Sequence, residues 1–198
     1  IYPRTQQPRD GWRVVVWEHG TVGSGDSCAP SRNTFNPRFK AMAESLLAKG
    51  YVIVAPDYEG LGTQGIHPYL HLESAAQSAI YAVKGFKQQQ GNRFNGAWVS
   101  VGQSQGGHAS LATAEFAGDD PNYKAAVAAA PASSLGYIIG TVAPQALNRL
   151  VFGEGAGVVP AGTAKAVYSE LLAYAAYVAV GIKAYEPNFV YQNIFESS

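Results

Sequence analysis

The chain has 198 residues, of which 47% are hydrophobic and 14% charged, so it can bury a sizeable core. Lys and Arg total 14, Asp and Glu total 14, and the formal net charge is zero. No basic field is available to attract phosphates, which argues against nucleic acid as a partner.

Four short apolar runs stand out along the chain, at residues 14–17, 52–55, 98–101 and 126–128. Their apolar character is continuous rather than alternating, which is typical of strands buried on both faces. We therefore predict four central strands of a parallel sheet covered by helices.

Helical patterns separate these runs. The first covers residues 36–49, with Asn36 as N-cap, Pro37 in the first turn and Gly50 as the stop. Further helices are predicted at 73–90 and at 105–116, the latter directly after the third run. Strands that alternate with helices in this way predict right-handed crossovers and a doubly wound α/β sheet.

After Pro131 the pattern becomes helical, with candidate helices at 135–150 and 163–185. One face of the second helix carries an apolar stripe: Tyr168, Leu171, Leu172, Ala175 and Val178. We predict a partial α/β core at 1–131 and a helical cap at 132–198.

The longest apolar stretch, residues 171–182, is shorter than the roughly 20 residues that span a bilayer, so no transmembrane segment is expected.

The third run ends in Gly102-Gln103-Ser104-Gln105-Gly106, which matches the G-x-S-x-G nucleophile elbow. In that motif a tight turn between strand and helix projects the serine hydroxyl beyond the sheet, and flanking glycines leave room for neighbouring backbone. Ser104 is therefore the candidate nucleophile. The alternatives are a turn that only packs closely or one that holds a phosphate, but the spacing fits neither G-x-G-x-x-G nor a P-loop.

A second glycine-containing loop, His19-Gly20-Thr21, follows the first run. In proteins with a nucleophile elbow, such a loop supplies one backbone N–H of the oxyanion hole, and the residue after the nucleophile supplies another. We assign these donors to Thr21 and Gln105, and Thr21 also offers a hydroxyl. Val22 remains open as the donor in place of Thr21.

Several segments together resemble one family. They are residues 16–21, 28–31, 55–62, 67–70 and 102–108, with the sequences VWEHGT, CAPS, APDYEGLG, HPYL and GQSQGGH. The chain resembles the secretory lipases of the α/β-hydrolase fold from about residue 13 to 131. This implies a serine esterase or lipase that takes lipid or small-molecule esters, needs no cofactor and acts outside the cell. The first residues carry no signal-peptide pattern, so localisation rests on the resemblance alone.

In that family a triad aspartate and histidine follow the cap, so we expect both to lie outside this chain. The chain would then be inactive alone and would need a complementary C-terminal portion. The alternative function is a non-catalytic fragment or binding module of a hydrolase.

The remaining polar residues receive lesser roles. Of the four histidines, His19 is expected to shape its loop, His108 to be structural, and His67 and His71 to form hydrogen bonds near the site. Asp57 and Glu59 are expected to brace the loop after the second run, and Asp26 to belong to a turn. No residues have metal-ligand spacing, so no metal is expected. Cys28, the single cysteine, is either a structural thiol or bridged to another segment.

Overall fold

The structure, a computed structural model, describes residues 1–34 and 36–193. Within them, four parallel strands form one sheet in the order β2-β1-β3-β4. Their bounds are Trp12–Glu18 for β1, Val52–Val54 for β2, Phe94–Gln103 for β3 and Tyr123–Ala129 for β4. The predicted parallel sheet is therefore confirmed, with each strand at or near its apolar run.

Three helices connect the strands: α1 at Pro37–Ala48, α2 at Leu72–Gln90 and α3 at Gln105–Phe116. At the start of α1, the Asn36 side chain accepts a hydrogen bond from the Arg38 backbone N–H at 2.8 Å, as its N-cap position predicts. The helix α2 begins one residue earlier than predicted, with His71 as its N-cap. The bounds of α3 agree with the prediction.

Helices bury both faces of the sheet. Val52 packs with Ala79 and Val83 of α2, whereas its neighbour Ile53 packs with Phe39 and Ala43 of α1. Successive side chains of a strand point to opposite faces, so this pairing places α1 and α2 on opposite sides. The continuous apolar runs reflect this two-sided burial.

After β4 the described chain is helical. The short helix α4 (Leu135–Tyr137) continues through a π-helical turn, Ile138–Val142, into α5 (Ala143–Gly155), and α6 spans Thr163–Tyr185 as predicted. Helix α5 extends five residues beyond the predicted end at residue 150. The division into a core at 1–131 and a cap at 132–198 stays a prediction.

The packed side of α6 includes part of the predicted stripe, namely the half-buried Leu171, Ala175 and Val178. Tyr168 and Leu172 are 52% and 44% exposed, whereas Ala179 and Gly181 are buried. A Cβ on Gly181 would lie 2.4 Å from the carbonyl oxygen of Tyr69, so the helix backbone touches this loop directly. Only glycine allows such an approach, and this contact fixes the rotation of α6.

The two outer strands differ in their cover. On the outer side of β2, the Ile1 amino group and carbonyl exchange hydrogen bonds with Ile53 at 2.7 and 3.0 Å. Along β4, at the other edge, Val127 is 54% exposed.

Within 1–34 and 36–193, no helix combines the length and apolarity that crossing a membrane requires.

Replacement of Gly181 by Ala should lower the free energy of unfolding by about 1–3 kcal/mol, because the new methyl group overlaps the Tyr69 backbone. Gly155→Ala is the matched control, since nothing lies within 4 Å of a Cβ there. Urea unfolding of both variants tests this, and equal stabilities would refute the contact.

Candidate functional site

Loops from all four strands meet at the carboxyl edge of the sheet. Three of the non-glycine residues with positive φ directly or closely follow a strand here: Tyr58 (+55°) after β2, Ser104 (+59°) after β3 and Ala130 (+43°) after β4. Such conformations cost about 1–3 kcal/mol each and persist where surrounding contacts enforce them. Of the five such residues among those described, three therefore cluster at this edge, and such strain is common at functional sites.

Ser104 lies in the turn between β3 and α3 with φ of +59° and ψ of −118°. Two backbone hydrogen bonds hold the turn: Ser104 N donates to Ala129 O at 3.0 Å, and Ala132 N donates to Ser104 O at 3.3 Å. Ser104 is the N-cap residue of α3, but its side chain makes no capping hydrogen bond. The half-buried residue instead lines a cavity of about 1020 Å³.

The two motif glycines are required by backbone contacts. A Cβ on Gly106 would lie 1.8 Å from the Glu18 carbonyl oxygen, and one on Gly102 would lie 2.0 Å from the Gly106 carbonyl oxygen. Both distances are far below van der Waals contact, so no side chain fits at either position. The first turn of α3 therefore packs directly on the end of β1.

The loop after β1 runs beside Ser104. A Cβ on Gly20 would lie 3.8 Å from the Ser104 Cβ and 3.1 Å from the Gln103 carbonyl oxygen. Thr21 follows, half-buried and lining the same cavity. Its Oγ1 forms a hydrogen bond of 2.7 Å with the Tyr69 hydroxyl. The structure thus brings Thr21 to the cavity of Ser104, and Val22 lines this cavity too.

Gln105 is the first residue of α3, so its backbone N–H has no acceptor within the helix. This is the second predicted oxyanion donor. Its side chain is buried, and its Nε2 lies 3.0 Å from His67 Nε2. Since His67 Nδ1 donates to the Glu59 carbonyl at 2.8 Å, His67 Nε2 is the acceptor for the Gln105 amide. Burial lowers the pKa of His67, which favours this neutral form.

His19 is held inside the loop that follows β1. Its Nδ1 donates to the Gly20 carbonyl at 2.7 Å, and burial lowers its pKa to about 4. The Tyr58 hydroxyl donates to the His19 carbonyl at 3.0 Å, and the two rings lie 4.2 Å apart. These contacts agree with the shaping role predicted for His19, because a neutral, buried ring fixes the loop.

The other two histidines also serve as connectors. His108 places Nδ1 3.1 Å from the Ala132 carbonyl and Nε2 3.0 Å from the Leu70 carbonyl. His71 accepts from the Ser74 N–H and stacks on Tyr185 at 3.5 Å. Among the residues described, none of the four imidazoles forms a hydrogen bond with the Ser104 hydroxyl.

The predicted carboxylates brace loops. Asp57 accepts hydrogen bonds from the backbone N–H and the hydroxyl of Ser31, the former at 2.8 Å, and so joins the loop after β2 to the segment after Cys28. Glu59 accepts from the Ser74 hydroxyl at 2.5 Å. Asp26 begins a 3₁₀ turn, Asp26–Cys28, as its turn role predicts. Cys28 is a free thiol in this structure and lines the large cavity.

Glu18, which the sequence did not single out, is fully buried beneath the site. Its Oε1 accepts from the Thr113 hydroxyl of α3 at 2.7 Å, while Oε2 has no partner among the described residues. Burial raises its pKa to about 8, so the carboxyl is protonated at neutral pH. A neutral acid therefore joins the end of β1 to α3 through side chains as well as backbone.

Tyr174 and Tyr177 of α6 face the site, and Tyr168 does not. Tyr174 lines the large cavity, and both rings line a smaller cavity of about 260 Å³ beside Thr21. Tyr168 belongs to neither cavity lining and is 52% exposed. Of these three tyrosines, only Tyr174 and Tyr177 therefore line a cavity next to Thr21.

No protein-family model and no curated protein matches the sequence. Among solved structures, the chain is similar to a protein of Legionella pneumophila that is provisionally described as a hydrolase. The TM-score is 0.62 at 22% identity, over 96% of this chain and 47% of that one. The esterase LipA of Xanthomonas oryzae gives 0.43 at 26% identity, over 58% and 31%. Candida antarctica lipase A gives 0.49 at 17% identity, over 61% and 30%.

The Legionella match and the parallel sheet show that the chain has the α/β-hydrolase fold. The chain spans about half the length of that structure while matching it over nearly all of its own residues. This coverage fits the predicted partial copy of the fold.

The buried carboxyl of Glu18 makes stability depend on pH. Its folded-state pKa of about 8 exceeds the ordinary glutamate value of 4.5, so its contribution is complete below about pH 4.5 and is lost as pH rises through about 8. Glu18→Gln stays neutral and should remove this dependence. Urea unfolding between about pH 5 and pH 8 should show wild type losing stability relative to Glu18→Gln as pH rises.

Glu44→Gln is the control for this measurement, because Glu44 is exposed on α1. Parallel pH profiles for wild type and Glu18→Gln would show that Glu18 is ionised in the folded protein at all these pH values.

Proposed function

We propose that this chain carries the nucleophile of a serine carboxylic ester hydrolase, an esterase or lipase that works through an acyl-enzyme on Ser104. The observation that carries the proposal is the Ser104 turn. A strained serine that makes no capping bond stands between a buried parallel strand and a helix N-terminus, and it lines a large cavity. A serine that merely capped α3 would use its hydroxyl for a backbone N–H of the first turn.

In the proposed reaction, Ser104 Oγ forms a bond to the ester carbonyl carbon while its proton passes to a general base. The carbonyl oxygen becomes an oxyanion, which the backbone N–H groups of Gln105 and Thr21 stabilise. Collapse of this intermediate breaks the bond to the alcohol, which leaves with the proton. Water then attacks the acyl-enzyme and releases the acid.

The electrostatics of the site favour this chemistry. Gln105 lies at the N-terminus of α3, where unpaired N–H groups and the helix dipole stabilise negative charge. The Gly20 loop passes close to the Ser104 Cβ, which puts a second set of backbone N–H groups within reach. Each such donor typically contributes roughly 3 kcal/mol to transition-state stabilisation.

The general base and its carboxylate partner belong, in this proposal, to sequence outside residues 1–198. The four histidines described have other partners or lie buried, which supports this assignment. The cavity beside Ser104 includes Trp17, Phe39 and Tyr174 in its lining, which suits an apolar acyl or alcohol group. Extracellular action is also proposed, on the resemblance to secretory lipases.

A fluorophosphonate probe should label the full-length polypeptide that contains this sequence, and Ser104→Ala should abolish labelling. Ser27→Ala is the matched control, because Ser27 lines the same cavity and should leave labelling unchanged. Gel fluorescence and the mass of the labelled peptide identify the modified residue.

Hydrolysis of p-nitrophenyl esters should fall by at least about 10³-fold in Ser104→Ala, since the nucleophile is lost. Unchanged hydrolysis in Ser104→Ala would refute the Ser104 mechanism. A wild type that is neither labelled on Ser104 nor able to hydrolyse the esters would support the alternative of a non-catalytic module.

A further inference from the structure

Tyr69 contacts both the candidate oxyanion loop and helix α6. It is 7% exposed and lies in the segment between β2 and α2. Its hydroxyl forms the 2.7 Å hydrogen bond with Thr21 Oγ1, across 48 residues of sequence. Tyr69 therefore contacts the loop beside Ser104 through its hydroxyl group, and it contacts α6 through its backbone and its ring.

The contact with α6 involves both backbone and ring. A Cβ on Gly181 would lie 2.4 Å from the Tyr69 carbonyl oxygen and 2.8 Å from the Tyr69 backbone nitrogen, so the two backbones are in direct contact. The Tyr177 ring lies edge-on to the Tyr69 ring at 5.8 Å. His108 also holds the next carbonyl, that of Leu70, at 3.0 Å. Tyr69 is thus fixed from α3 and from α6 at once.

The direction of the hydroxyl bond determines what Thr21 can do. Thr21 has a single hydroxyl hydrogen, and if it donated to Tyr69 that hydrogen would not be available to substrate. A phenol is the stronger donor of the two hydroxyls, and burial raises the pKa of Tyr69, so its proton is retained. Donation from Tyr69 to Thr21 leaves the Thr21 hydrogen available to an acceptor in the cavity.

We infer that Tyr69 is a positioning residue that orients the Thr21 hydroxyl toward the oxyanion of the reacting ester and couples this orientation to the docking of α6. The inference rests on the proposed function and deepens it. Thr21 acts as a third donor through its side chain, and Tyr69 acts only through Thr21. Displacement of α6 would move Tyr69 and so weaken the stabilisation of the oxyanion.

The test is the rate of fluorophosphonate labelling of the full-length polypeptide. In this reaction Ser104 Oγ bonds to phosphorus while its proton passes to the general base, the P–F bond breaks with loss of fluoride, and the phosphoryl oxygen occupies the proposed oxyanion site. Thr21→Val should slow labelling by roughly 10²-fold, in the range found for loss of one oxyanion donor. Tyr69→Phe, which removes only the orienting bond, should slow it by about 5- to 10-fold.

A double-mutant cycle separates positioning from general stability. The Tyr69→Phe/Thr21→Val variant should be no slower than Thr21→Val, because no hydroxyl is left to orient. Tyr123→Phe is the matched control: it breaks a similar tyrosine–serine bond, 2.8 Å to Ser100, and should label as fast as wild type. In ester hydrolysis, Tyr69→Phe should lower kcat with little change in KM.

The possible failures are distinct. If wild type itself is not labelled at Ser104, the proposed function falls, and this inference with it. If wild type is labelled and Tyr69→Phe is labelled equally fast, only the inference is overturned. The same holds if the rate reductions of the two single variants multiply in the double variant.

Discussion

The backbone contact between Gly106 and Glu18 is the constraint on which the site depends. A side chain at position 106 would fall 1.8 Å from the Glu18 carbonyl oxygen, so α3 and β1 can meet only through glycine. This approach sets the first turn of α3 beside the loop that follows β1. Ser104 and Thr21 consequently line one cavity although 83 positions, 104 − 21, separate them in sequence.

Side-chain hydrogen bonds also stabilise this junction between β1, the loop that follows it and α3. The protonated carboxyl of Glu18 accepts from Thr113, and the Tyr58 hydroxyl holds the carbonyl of His19. Burial raises the pKa of both Glu18 and Tyr58, so both groups stay neutral and the large cost of a buried charge is avoided. In the proposed mechanism, rigid placement of the loop and the helix matters because oxyanion donors act only when they are oriented before the reaction.

The sequence predicted the elements better than their contacts. Asn36 and Pro37 mark the start of α1 because capping is a local property, and the glycines around Ser104 identify the turn for the same reason. The stripe predicted along α6 includes Leu172, which is exposed, and omits Gly181, whose contact with Tyr69 depends on tertiary structure. The sequence did not identify Tyr69, the proposed positioning residue, because its bond to Thr21 depends on tertiary structure and has no spacing pattern.

The backbone of Ser104 also has an evolutionary consequence. A non-glycine residue at φ of +59° costs the fold about 1–3 kcal/mol, most of which glycine would avoid. Selection for a more stable molecule would therefore favour glycine at this position, whereas selection for a nucleophile retains the hydroxyl. A serine found at 104 in a homologue is then informative, because stability alone does not explain its retention there.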